Sequence, residues 1–274
     1  MADTTLLIEM TALLLVIGAF AGVLAGLLGV GGGIVLVPAF YFTFAALGYD
    51  SPQLMQMCLG TSLATIIVTS TRSAMAHHAK GAVDWGILRS WAPGIVVGAI
   101  IGVTVASYLK STALVLIFGG FSTLIGLYMT FGRDHWRLAP TMPQGALRLI
   151  LSPVLGGLSV LMGIGGGTFG VPVLTLFGVP IHRAVATAAG FGVAIALPSA
   201  FGFLLFRMPP GTTPPLTVGA VNFGAFGLII TMTLITAPYG VRLAHWMDPK
   251  PLKRLFGGFL ILVALNMLRK ALGW

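Results

Sequence analysis

GLLGVGGGIVLVP, Gly26 to Pro38, and VLMGIGGGTFGVP, Val160 to Pro172, decide how this chain is read. The triplets Gly31-Gly32-Gly33 and Gly165-Gly166-Gly167 lie 134 positions apart, and so do the prolines that follow, Pro38 and Pro172. Each triplet interrupts an apolar run. Glycine costs a helix interior about 1 kcal/mol per residue relative to alanine, so a helix break is expected at both. Broken backbone exposes N–H and C=O groups that lipid cannot satisfy. It is tolerated in a membrane only where protein buries it or where it lines a cavity. Paired breaks at corresponding positions of two halves point to the binding region of a transporter.

The flanking sequence is that of a polytopic membrane protein. Of 274 residues, 57% are hydrophobic and 8% charged, where a soluble domain carries roughly 25% charged residues. The formal charge of +9 is not read as a nucleic-acid footprint, because the bases sit between apolar runs, as the positive-inside rule has them. A single cysteine, Cys58, excludes an internal disulfide and a CxxC redox pair. MADTTLLIEM has no basic n-region, so the first apolar run is expected to be retained as a span.

Outward from the triplets, apolar runs extend over Leu6–Val30, Ile34–Leu47, Leu54–Ala76, Ile87–Tyr108 and Thr112–Phe131. After the polar segment Gly132–Gln144, the scheme returns as Ala146–Ile164, Thr168–Val179, Ala184–Phe206, Val218–Tyr239 and Leu255–Leu272. The runs after each triplet are short for a span, which takes about 20 residues. Further matches support a repeat. GAVDWG (Gly81–Gly86) answers GAVNFG (Gly219–Gly224), and FGGF occurs at Phe118 and at Phe256, both at an offset of 138. Thr61-Ser62 answers Thr187-Ala188 at an offset of 126. The expected fold is all-α: two repeats of five apolar segments with glycine-rich breaks, residues 1–131 and 145–274, joined by a cytoplasmic linker, 132–144. An odd number of runs inverts the second repeat. Eleven of the 15 Lys and Arg residues then fall on the linker side, and Lys110, Arg207, Arg269 and Lys270 on the other. The basic side is cytoplasmic by the positive-inside rule, and both termini face outward.

Candidate site residues follow from chemistry. Backbone N–H groups at Gly31, Gly32, Gly33, Gly165, Gly166 and Gly167 suit an anion at broken-helix ends; close helix packing through small residues is the competing reading. Thr61, Ser62 and Thr187 are hydroxyls in apolar runs, either donors to an anion or bonded to the carbonyl one turn back. Inversion is expected to bring Thr61 and Thr187 to comparable depths. Arg183 shares a helix face with Thr187 and either lends charge to an anion path or anchors the chain at the cytoplasmic surface. Asp84 and Asn222, the polar members of the matched motifs, are expected to cap the helices that follow. No carboxylate falls mid-run, where a buried proton relay would need one.

The repeated GxGGG…P motif, LGTSLATI (Leu59–Ile66) and inverted halves of this length resemble the sulfite exporter TauE/SafE family of bacterial membrane permeases, over nearly the whole chain. ATAAG, Ala186–Gly190, departs from the GTS pattern, leaving Ala188 without the hydroxyl of Ser62. The resemblance implies a secondary transporter of sulfur-containing anions such as sulfite or organosulfonates, in the inner membrane, with the lipid bilayer and a small anion as partners. No cofactor and no metal site is expected. The coupling ion is not named by the sequence, and homo-oligomerisation is left open. Two alternatives stand beside it: an anion channel, and an intramembrane enzyme with Ser62 as nucleophile. His77 and His78 follow Ser62 by 15 and 16 positions, over about 20 Å on a straight helix and beyond hydrogen-bond reach, so a base would have to come from another helix.

Overall fold

The computed structural model describes residues 4–28, 32–131, 137–246 and 249–273. Among the described residues, ten helices carry the fold: α1 (Thr4–Leu28), α2 (Gly33–Ala46), α3 (Leu54–Ala79), α4 (Trp85–Tyr108) and α5 (Ser111–Phe131), then α6 (Gly145–Leu161), α7 (Gly166–Leu176), α8 (Ile181–Leu204), α9 (Phe223–Trp246) and α10 (Pro249–Leu272). The described residues contain six helices long and apolar enough to cross a membrane, α3, α4, α5, α8, α9 and α10. The chain is thus an all-α polytopic membrane protein. The helices after the breaks are short, with 14 residues in α2 and 11 in α7. They rise about 21 Å and 16 Å, against an apolar core of about 30 Å.

Burial ranks the helices. α3 and α8 are enclosed over most of their length, while the other candidate spans are buried over about a third or less. The centre of the molecule is therefore the α3–α8 pair. α2 and α7 lie against it, each on the central helix of its own half. The remaining helices pair across the halves: α1 with α9, α4 with α6, and α5 with α10. Directions follow from close contacts. A side chain on Gly60 would begin 3.0 Å from Phe203 Cβ, and one on Gly192 would begin 3.0 Å from Ser70 Cβ, so α3 and α8 run antiparallel. Gly119 abuts Leu268 and Gly126 abuts Ile261, so α5 and α10 do too. On α4, Gly94 lies on Ser152 and Gly102 on Val160, so α4 and α6 run parallel. Small residues at such crossings let backbones approach where lipid offers no hydrophobic drive to association.

One boundary differs from expectation. α9 begins at Phe223, not near Val218, because Thr217–Val218 and Val221–Asn222 form a two-residue antiparallel hairpin ahead of it. The turn is made at Gly219, with φ 58°, and Ala220 N–H donates to the Phe203 carbonyl at 2.7 Å. Of the polar linker, residues 137–144 are described; Leu138 N–H donates to the Leu176 carbonyl at 2.8 Å, tying the linker to the end of α7.

Candidate functional site

Both breaks reach the middle of α3. Gly32 is the N-cap of α2 with φ 74°, a left-handed conformation that glycine adopts at little cost. A side chain on Gly33 would meet Ile66 Cδ1 at 2.7 Å, the Gly163 carbonyl oxygen at 3.0 Å and Ile164 Cα at 3.1 Å. One on Gly165 would meet Ile66 Cγ2 at 3.2 Å. The first triplet thus lies against the chain that enters the second, and Ile66, midway along the 26 residues of α3, touches both. Gly31 lies outside the described residues. Gly32, Gly33 and Gly165 to Gly167 are all buried.

Neither short helix has a side-chain cap: Gly32 and Gly165, the N-cap residues, offer none. A helix start leaves up to four backbone N–H groups without an intrahelical partner. Thr168, in the first turn of α7, is 5% exposed, and its hydroxyl has no hydrogen-bond partner among the described residues.

The hydroxyls do not bond as local helix geometry alone would have it. Ser62 Oγ donates across to the Gly163 carbonyl at 2.7 Å, pinning the second break to α3. Thr61 Oγ1 accepts the Asn222 N–H at 3.0 Å. Thr187 Oγ1 accepts the Asp84 N–H, also at 3.0 Å. The two threonines thus make the same bond, each to the matched motif of the other half. Asp84 Oδ1 accepts from Ile87 N at 3.0 Å, and Asn222 Oδ1 from Ala225 N at 2.7 Å, so both cap their helices as expected.

Thr61 and Thr187 do not share a level. Thr61 adjoins Gly60, which abuts Phe203, and Thr187 lies 16 residues before Phe203 on α8, about 24 Å along the axis. Similar distances from the N-terminal ends of two antiparallel helices put the pair on either side of the centre. Arg183 also stands away from the glycines. Its side chain is 54% exposed, and Nη2 lies 3.4 Å from Asp84 Oδ2. Two buried polar residues of α3, one beside the second break and one at the start of the helix, were not singled out in the sequence. Ser70 is buried, its Oγ 3.7 Å from where a Gly165 side chain would begin. Gln56 Nε2 donates to the Leu109 carbonyl at 2.7 Å, fixing the start of α3 to the end of α4. A polar residue in an apolar run was the available signal for both.

The Ser62 hydroxyl is turned to a carbonyl, and His78 Nδ1 accepts from Trp85 Nε1 at 3.2 Å. A nucleophile–base pair is not built from them. An open groove of about 450 Å³ lies elsewhere, at the end of α8, between Leu204–Pro210 and the Thr213–Gly219 segment.

Residues 14–267 match the family profile described as Sulfite exporter TauE/SafE. A probable membrane transporter protein of Haemophilus influenzae is 32% identical, the alignment covering 94% of this chain and 98% of that protein. A probable membrane transporter protein of Methanocaldococcus jannaschii is 26% identical over 93% of this chain and 94% of its own length. No solved structure matches the chain.

Proposed function

The chain belongs to the sulfite exporter TauE/SafE family and is a multi-pass membrane transporter rather than an enzyme, and on that premise we propose that it carries small sulfur-containing anions, sulfite or organosulfonates, through a site where two inverted repeats meet near the membrane midplane. The observation that carries the reading is the convergence of both glycine breaks on Ile66, at the middle of the central helix pair. The antiparallel course of α3 against α8, and of α5 against α10, supports inversion of residues 145–274 relative to 1–131.

In this reading Gly31 to Gly33 and Gly165 to Gly167 offer backbone N–H groups to the anion. These carry partial positive charge, reinforced by the helix dipoles of α2 and α7. Thr168 and Ser70 add hydroxyls. Ser62 holds the second break in place, while Thr61 and Thr187 tie the halves together above and below the site. Partial charges suit a carrier, which has to release its load; a buried full counter-charge would hold it. Arg183 acts at the mouth and not at the centre.

Gly165→Ala is the test. Gly165 has φ −80° and ψ −178°, a conformation open to any residue, and the new methyl would begin 3.2 Å from Ile66 Cγ2, a side-chain contact that a small shift relieves. Sulfite and a small organosulfonate are followed in proteoliposomes. The expected result is a well-inserted, monodisperse variant whose half-saturating concentration rises about tenfold or more, equivalent to about 1.4 kcal/mol lost at the site. Unchanged transport removes the glycine site. No flux of either anion in the wild type removes the substrate.

The orientation has its own test. In a Cys58→Ala background, single cysteines replace Gln144 and Thr213, and an impermeant thiol reagent is applied to intact cells. The cytoplasmic linker and outward 207–215 loop require labelling at 213 and protection at 144. The reverse pattern overturns the topology.

A further inference from the structure

The two threonine latches are alike in backbone and unlike in charge. Asn222 is 4% exposed, and its amide is used up inside the protein: Nδ2 donates to the Pro215 carbonyl at 2.9 Å and to Thr217 Oγ1 at 2.8 Å. Asp84 occupies the matching place in the other half and spends its second carboxylate oxygen on Arg183, at 3.4 Å. The pair sits where the end of α3, the start of α4 and the start of α8 meet, and both side chains reach solvent, at 54% and 26% exposure. The surroundings are cationic. Arg89 lies over the Trp85 ring, 5.7 Å from its centre, and Lys80 ends α3. Among the described residues, Asp84 is the one carboxylate in this group.

We propose that Arg183 is a capture site for the transported anion, that Asp84 is a built-in competitor for it, and that an arriving oxyanion takes the guanidinium and so loosens the latch between Asp84 and Thr187. This rests on the transport reading above and adds to it where the anion first docks and what holds that mouth shut. A guanidinium presents a planar fork of donors that fits carboxylate and oxyanion alike, so the two compete for the same face. The pair is long for a charge-assisted bond, which runs about 2.7–2.9 Å, and its exposure makes exchange cheap. Drawing Arg183 away leaves Asp84 with its cap bond to Ile87 and its N–H on Thr187. The charge that held the α8 start against the α4 start is then gone. The opposite latch has no such handle: Met57 stands at the matching position in α3, and the Asn222 amide is enclosed. One mouth therefore answers to anions and the other does not.

The molecule supplies its own test substitution, since asparagine already performs the capping role at position 222. Asp84→Asn keeps the cap and removes the competitor; Arg183→Gln removes the capture site. Two measurements on the full-length protein are made at constant ionic strength: sulfite flux in proteoliposomes, with half-saturation and maximal rate separated, and the melting temperature of purified protein titrated with sulfite. Asp84→Asn is expected to lower the half-saturating concentration roughly two- to fivefold in both, the scale of an exposed ion pair. Arg183→Gln is expected to raise it, and the double variant to behave as Arg183→Gln alone. If Asp84→Asn leaves half-saturation unchanged, or shifts it in the same direction as Arg183→Gln, the pair is only a clamp and the proposal falls. Saturable stabilisation with this pattern but without flux upholds the capture site while the transport reading fails. Flux with unshifted half-saturation does the opposite.

Discussion

Gly166→Ala is expected to abolish correctly folded protein, whereas Gly165→Ala, one position earlier, inserts and purifies normally. The difference is geometric. A methyl on Gly166 would run into the Ala188 carbonyl oxygen and lie 2.5 Å from Gly192 N and 2.6 Å from Phe191 Cβ. Two of those atoms are backbone of α8 and have nowhere to go. Overpacking a well-packed interior costs about 1–3 kcal/mol and more where the neighbours cannot move. Here the whole of α7 would have to lift from α8. Recovery of monodisperse protein after detergent extraction is the measurement, and normal yield of Gly166→Ala would mean that α7 does not sit this close. The consequence for function is direct: loss of transport in a Gly166 variant says nothing about anion binding, because packing alone accounts for it. Gly165 is the position at which the two roles separate.

The second large effect is expected at Asn222. Replacing it with alanine removes the cap on Ala225 N and both donations from Nδ2. Loss of a helix cap costs about 0.5–2 kcal/mol, and each of the two part-buried hydrogen bonds about 0.5–1.5 kcal/mol, so a loss of roughly 2–4 kcal/mol is expected in all. Asn222→Asp keeps the cap but turns a carboxylate oxygen toward the Pro215 carbonyl, and it too should destabilise. Asp84→Asn, the reciprocal change, should not. The protein carries its own reporter, since Cys58 is its single cysteine and is fully buried. Its reaction with a thiol dye on heating marks unfolding. Coincident curves for Asn222→Ala and the wild type would refute the role given to Asn222.

The helices were legible because apolar length and turn residues are local properties. The short α2 and α7, the breaks before them and the caps at Asp84 and Asn222 could all be read within a dozen residues. What each hydroxyl bonds to could not. Ser62 meets a carbonyl 101 positions away, and Thr61 an N–H 161 positions away. Spacing along the chain suggests the carbonyl one turn back, and tertiary geometry overrides that. The depth of Thr61 relative to Thr187 was misread for a related reason. Counting residues from a helix end gives a distance but not a side, and antiparallel helices turn equal distances into opposite levels. Arg183 was recognised as a charge near an anion path, while its partner Asp84 lies 99 positions earlier and reads in isolation only as a cap.

The exchange of partners between the halves also bears on how the protein is made. α1 leaves the ribosome well before α9, the helix it packs on. Gly18 and Gly22, on the face that later takes Met232 and Thr236, meet lipid or a chaperone until roughly 200 further residues have been translated. α4 waits a shorter time for α6. α1, α4 and α5 therefore meet their final partners only as the second half is made, and α1 and α5 wait for α9 and α10.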